Sequence, residues 1–172
     1  MFCAASDQGN THESTIGNDV PALYGDPIKI GAAKANGLPW DQTGQQYVDY
    51  YLPGHDIVID GYKPAKGQPQ SGSSLATAIA TGLAALIQYC FRIACIDDNA
   101  YKDALAPQDF RDAFLKLSEL SPTRHVPEVK KYFGNLGPMD EPRQFKAKAK
   151  TIAKELRSSL IRERLEHKNS WR

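Results

Sequence analysis

The sequence is poor in the features that would settle a function class at a glance. Its formal net charge is only +1, so no global field draws it to nucleic acid or to an anionic membrane. It has three cysteines, Cys3, Cys90 and Cys95, all in apolar surroundings. An odd number cannot close a disulfide set, and their spacing matches no metal site. Buried free thiols in a reducing compartment are expected, which favours the cytoplasm. There is no unbroken run of about eighteen apolar residues. The most apolar stretch, Leu75 to Ile93, is interrupted by Thr77, Thr81 and Gln88, which argues against a membrane span. The N-terminus reads as strand from its second residue and has no basic region, apolar core or cleavage site of a secretory signal. No Asp/Glu cluster suits calcium, so neither a metal nor a cofactor is expected. Internal repeats and low-complexity tracts are absent.

What is present is an ordinary globular composition, 41% hydrophobic and 24% charged over 172 residues. That length suffices for one domain with a proper core. The first half alternates short apolar segments, Phe2 to Ala5, Ile28 to Ala33, Val48 to Leu52 and Asp56 to Ile59, with loops rich in Gly, Asn, Asp and Pro. This pattern predicts strands. From Ser74 the period becomes helical, with Leu75, Ala78, Ile79, Gly82, Leu83, Leu86 and Ile87 at i, i+3, i+4 spacing. Ala76, Ala78, Ala80, Gly82, Ala84 and Ala85 would let this helix run close beneath a sheet. Pro107 starts a second helix with Phe110, Phe114, Leu117 and Leu120 on one face, ended by Ser121-Pro122. Asp140-Glu141-Pro142 opens a third, from about Arg143 to His167, with Phe145, Ile152, Leu156, Leu160 and Leu165 near one face. The organisation expected is thus 1–96, a connector and packing helix over 97–139, and a basic amphipathic helix over 140–172.

That last helix carries Arg143, Lys146, Lys148, Lys150, Lys154, Arg157, Arg162, Arg164, Lys168 and Arg172 against Glu155, Glu163 and Glu166. Such helices can bind nucleic acid or anionic membranes. A solvated polar face whose apolar side packs on the domain is the preferred reading here.

The segment Gly72-Ser73-Ser74-Leu75-Ala76-Thr77-Ala78 carries the most chemistry. It sets a serine at a helix N-terminus, where the backbone N–H field suits an acyl-transfer nucleophile. Taken alone it reads better as a helix cap, because serine is a favoured N-cap and glycine is common in the preceding turn. The residues around it occur in a definite order. Phe2-Cys3-Ala4-Ala5-Ser6-Asp7-Gln8-Gly9 comes first, then Ile28-Lys29-Ile30-Gly31-Ala32-Ala33, then Val48-Asp49-Tyr50-Tyr51-Leu52-Pro53-Gly54, and then the Gly-Ser-Ser segment. In that order these landmarks resemble the C-terminal part of the catalytic domain of the subtilisin-like serine proteases, from Phe2 to about Ile93.

The resemblance implies an α/β fold: part of a three-layer subtilisin-like architecture with a parallel sheet and a buried helix after the nucleophile, followed by a helical C-terminal extension. It implies hydrolysis of internal peptide bonds in a peptide or protein substrate through an acyl-enzyme on Ser74. One oxyanion donor would be the Ser74 backbone N–H. The other, a side-chain amide in the family, falls on Asp7. Ala4, Ala5 and Ser6 would line the pocket beside the scissile residue, with Gln8 near its mouth. Two departures matter. A carboxylate at position 7 repels an oxyanion unless it is protonated, and losing one such donor costs about a hundred- to a thousandfold in rate. The family's Asp-Ser/Thr-Gly and His-Gly-Thr/Ser segments, which carry the other two triad members, do not occur before Ser74. Asn10 could supply an amide only if the loop is rearranged, and His12, His55, His125 and His167 read as structural or surface residues. The chain is therefore expected to be the later part of a peptidase domain, inactive alone, with the missing N-terminal half as a possible partner. The alternative from a different class is a non-catalytic, protease-like module that binds extended peptides or a partner domain.

Overall fold

The computed structural model describes residues 1–7, 27–44, 48–59, 68–95, 105–119, 125–134 and 142–169, with the side chains of the last helix described over 144–157. Gln8, Asn10, His12 and Leu120 lie outside the described residues, as do the side chains of Leu160, Leu165 and His167. The described elements are three strands, β1 (Phe2–Ala4), β2 (Ile28–Ala33) and β3 (Tyr50–Pro53), and four helices. These are α1 (Ser73–Cys95), α2 (Pro107–Ser118), α3 (Val129–Phe133) and α4 (Pro142–Asn169). The strands form one parallel sheet in the order β1-β2-β3, with Phe2 opposite Ile28 and Ile30 opposite Tyr50. The fold class is therefore α/β, as expected. By compactness the chain divides into two units, Met1–Gly82 and Leu83–Arg172.

In the first unit β2 is central, and a parallel strand covered on both faces reads as a nearly continuous apolar run. Ile28, Ile30, Ala32 and Ala33 are all buried, and Leu52 and both tyrosines of β3 join them. Asp49 accepts the Lys29 N–H at 2.8 Å and helps to set the β2–β3 register. The strand expected over Asp56 to Ile59 is not formed. Ile57 makes a single antiparallel bridge with Gln70, and Val58 and Ile59 are exposed. Asp56 adopts a φ of 56°, which turns the chain before a ladder can propagate, so local β-propensity has no partner strand to act on among the described residues.

The face of α1 also differs from the sequence reading. Buried positions are Ala76, Ala80, Leu83, Ala84, Ile87, Cys90, Phe91, Ile93 and Ala94, mostly one stripe at i, i+4, i+7, i+8 spacing. Ala78, Ile79, Gly82 and Ala85, expected at the buried or close-packed side, are exposed. Alanine and glycine occupy both sides of the helix, so the period alone could not say which side faces inward. By length and composition Ser73–Ala94 is also apolar enough to cross a membrane, a test that core helices pass as well. The interruptions at Thr77 and Thr81 are weaker than the residue types suggest. Each hydroxyl donates to the carbonyl four residues earlier, at 2.7 Å to Ser73 and 2.9 Å to Thr77, and so brings its own acceptor.

In the second unit α2 packs on α4. Pro107 occupies the first turn of α2, where its missing N–H costs nothing, and Asp109 reaches back to accept the Ala106 N–H at 2.7 Å. Ala113, Phe114 and Leu117 are buried, as are Ala149, Ile152, Ala153 and Leu156 of α4. The short α3 was not legible in the sequence, since five residues carry too little periodicity. It is held by neighbours: the Glu128 N–H donates to the Leu117 carbonyl at 2.8 Å, the Tyr132 hydroxyl to the Lys116 carbonyl at 3.2 Å, and Phe133 is buried.

Cys3 and Cys90 are buried and outside any disulfide, as expected, and the Cys95 side chain lies outside the described residues. Burial pushes the Cys90 thiol up from 9.0 to about 11. The neutral thiol is thus favoured by folding, so its contribution to stability is complete below pH 9 and is lost as pH rises through about 11. Denaturant midpoints measured at pH 8 and pH 10.5 should fall more in the native sequence than in Cys90→Ala. An equal fall in both would remove Cys90 from the alkaline transition.

Candidate active site

The first turn of α1 separates its two serines completely. Ser73 has no exposed surface, whereas Ser74 is exposed. The Ser73 hydroxyl donates to Asp7 Oδ1 at 2.6 Å and accepts the Ala32 N–H of β2 at 3.2 Å. Thr43 Oγ1 lies 3.4 Å from the same oxygen; since the single Ser73 proton goes to Asp7, Thr43 is the donor in that long contact. One donation and two acceptances exhaust a hydroxyl, so Ser73 is not available as a nucleophile. Asp7 Oδ2 accepts the Ser73 backbone N–H at 2.8 Å. Both carboxylate oxygens are thus engaged as acceptors beside a helix N-terminus, where negative charge is stabilised.

Helix α1 begins on the Gly72 carbonyl, which accepts the Leu75 N–H at 3.1 Å and the Ala76 N–H at 3.4 Å. Gly72 adopts a φ of 157°, and a Cβ there would stand 3.3 Å from Asp7 Oδ2. Its N–H donates to the Gly54 carbonyl at 2.7 Å, tying the loop before α1 to the end of β3. Among the described residues, neither the N–H nor the hydroxyl of Ser74 has a hydrogen-bond partner. An exposed hydroxyl with an uncommitted backbone donor of the same residue is the local arrangement that nucleophilic attack and oxyanion binding share.

The residues expected to line a pocket lie along β1 and just after it. Ala4 is in β1, the Ala5 N–H donates to the Ile30 carbonyl at 2.8 Å, and the Ser6 carbonyl accepts the Gly44 N–H at 2.9 Å. All three are half-buried. Gly44 follows Thr43, so the segment that holds Ser6 also presents Thr43 to Ser73. No signal marked Thr43 in the sequence. Ser73 did leave one: it stands in the Gly-Ser-Ser turn at a helix start, where a hydroxyl is a favoured cap.

His55 is the one histidine described near this end of β3. It pairs with its neighbour, Nδ1 to Asp56 Oδ2 at 3.2 Å, and its ring lies 5.5 Å from that of Trp40. The Asp56 N–H donates to Ser71 Oγ at 2.9 Å. None of these groups hydrogen-bonds Ser74, so no general base stands at Ser74 among the described residues. No group of three or more His, Cys, Asp or Glu residues there could hold a metal ion.

The second unit has a separate open groove of about 410 Å³ lined by Lys116, Lys131, Tyr132 and Glu155. Burial raises the Tyr132 hydroxyl; Lys116 opposes that shift, and Glu119 and Glu155 add to it. Lys116 is already paired with Glu119 at 2.5 Å. The groove offers no nucleophile with a base.

No protein-family model matches the chain, and no curated protein is similar to it. Among solved structures it is similar to the self-cleaved protease domain of PatA, with 26% identity over 78% of this chain and 44% of that one, at a TM-score of 0.45. It is also similar to the prenylagaramide maturation protease PagA, with 28% identity over 62% of this chain and 37% of that one, at a TM-score of 0.45. A mutant of the PatA protease domain gives 28% identity over 66% of this chain and 41% of that one, at a TM-score of 0.47. The chain therefore spans less than half the length of each of these structures.

Proposed function

We propose that Ser74 is the nucleophile of a subtilisin-like serine endopeptidase site, of which the described residues hold the serine and part of the substrate pocket but not the base. The observation that carries this reading is the division of labour between adjacent serines. Ser73 is spent on anchoring the start of α1, and Ser74 is left exposed with its own N–H uncommitted. A plain capping sequence would need only the first hydroxyl. Attack by Ser74 Oγ on a peptide carbonyl would form a bond to carbon, pass the hydroxyl proton to a base and place the oxyanion near the Ser74 N–H. Ala4, Ala5 and Ser6 would flank the residue being cleaved, with Gln8 near the mouth. The base and its orienting carboxylate would come from outside the described residues.

Two measurements test this. The purified chain is expected to show no turnover of an unstructured peptide, because nothing described accepts the Ser74 proton. Added imidazole can act as the external base. In concentrated imidazole buffer a fluorophosphonate is expected to modify Ser74, with fluoride leaving and the proton passing to imidazole. Peptide mapping by mass spectrometry should find the adduct on Ser74, and Ser74→Ala should lose it. If Ser74 stays unlabelled at every imidazole concentration, the nucleophile assignment fails. The non-catalytic, peptide-binding reading then takes its place. The carboxylate of Asp7, which accepts two hydrogen bonds here and donates none, is the observation that favours that second reading.

A further inference from the structure

We infer that Asp7 is a positioning residue. It clamps the first turn of α1 through Ser73, and its place beside Ser74 is not that of a failed oxyanion donor. This rests on the reading of Ser74 as nucleophile, and it gives Asp7, Ser73 and Thr43 a joint task. The segment after β1 and the start of α1 are 66 residues apart in sequence, yet one carboxylate takes both polar hydrogens of Ser73, at 2.6 and 2.8 Å. The hydroxyl so oriented turns its lone pairs to the Ala32 N–H of β2 and to Thr43, at 3.2 and 3.4 Å. Three separate stretches of chain are thereby locked to one side chain that has no exposed surface.

A carboxylate suits this task better than an amide. Asparagine has a single acceptor oxygen and would point an NH₂ group at either the Ser73 N–H or its hydroxyl. Ionised, Asp7 satisfies both and meets the positive end of the α1 dipole. The consequence for Ser74 is geometric. It is the next residue of the same turn, so its hydroxyl and N–H keep their outward direction only while Ser73 is held.

Amide hydrogen exchange resolved at Ser73 decides the matter, with imidazole-dependent labelling of Ser74 as the second readout. Asp7→Asn is expected to speed Ser73 exchange about ten- to a hundredfold, the range for hydrogen bonds to charged groups, and to slow Ser74 labelling in parallel. Amides of α2 and α4 should not change. Ser73→Ala should lower labelling as well, and Ser73→Thr, which restores the hydroxyl, should recover it. Unchanged Ser73 exchange in Asp7→Asn overturns the inference. So does labelling that is measurable in the native chain and equal or faster in Asp7→Asn, since gain on adding an amide is what a defective oxyanion donor predicts. If Asp7→Asn does not fold, the Ser73 pair still answers: Ser73→Ala must slow Ser74 labelling and Ser73→Thr must restore it, and indifference to both overturns the clamp. Should Ser74 never label while Ser73 exchange depends on Asp7, the clamp stands and the endopeptidase reading falls.

Discussion

Phe114→Ala is expected to lower the stability of the helical unit by about 3–5 kcal/mol, the usual cost of truncating a buried phenylalanine. Phe114 has no exposed surface and sits on the face of α2 that also buries Ala113 and Leu117. Helix α4 supplies mainly small or branched side chains to the packed pair: Ala149, Ile152 and Ala153, with Leu156 as the other large one. Alanines cannot move inward to fill the volume of a lost ring, so most of the cavity remains. Domains of this size hold only about 5–15 kcal/mol in total, and the loss should approach the unit's whole reserve. Chemical denaturation followed by helical circular dichroism is the measurement. A midpoint within experimental error of the native one would mean that α2 and α4 do not share a core at Phe114.

Gly54→Ala should also destabilise, and its effect should reach the candidate site. A Cβ on Gly54 would lie 2.8 Å from the Ala32 Cβ, 2.9 Å from the Gly72 carbonyl oxygen and 3.1 Å from the Ala32 Cα. Two of these neighbours are backbone atoms and cannot rotate away. Relief requires β2 to part from the segment that runs from Gly54 to Gly72, where the 2.7 Å bond between the Gly72 N–H and the Gly54 carbonyl now holds. Overpacking of this kind costs about 1–3 kcal/mol and sometimes more. Because Gly72 also starts α1, the same displacement should loosen the contacts of Ser73 with Ala32 and Asp7. The expected result is a lower melting temperature together with faster exchange at Ser73. Gly37→Ala is the contrast for crowding, since no atom lies within 4 Å of a Cβ at Gly37. Its φ of 78° gives that variant a strain of its own, but one confined to an exposed turn. If Gly37→Ala speeds Ser73 exchange as much as Gly54→Ala does, the argument from close approach is wrong.

The parts of this fold that were legible in the sequence are those governed by neighbours along the chain. Pro107 and Pro142 mark the starts of α2 and α4 because proline fits a first helical turn and little else in a helix. Phe114, Leu117, Ile152 and Leu156 fall on buried faces because a three-to-four spacing in a polar background leaves one choice of inward side. The run from Ile28 to Ala33 reads as a central strand for the same kind of reason. Where the local signal was degenerate, the reading failed. The buried side of α1 could not be chosen among alanines and glycines, and Val58-Ile59 carried strand propensity into a place with no second strand among the described residues.

The sequence by itself determined the class of the fold, the positions of the three long helices and the narrow segment, Gly72 to Ala78, that carries the proposed nucleophile. The resemblance read in the sequence already pointed to Ser74; what only the tertiary structure shows is that the Ser73 hydroxyl is fully committed, because its partners lie 66, 41 and 30 residues away. Local pattern is set by backbone geometry over a few residues, and so it reports helix, strand and cap. The saturation of a hydroxyl by Asp7, Ala32 and Thr43 is a property of how distant segments meet, and no spacing along the chain encodes it.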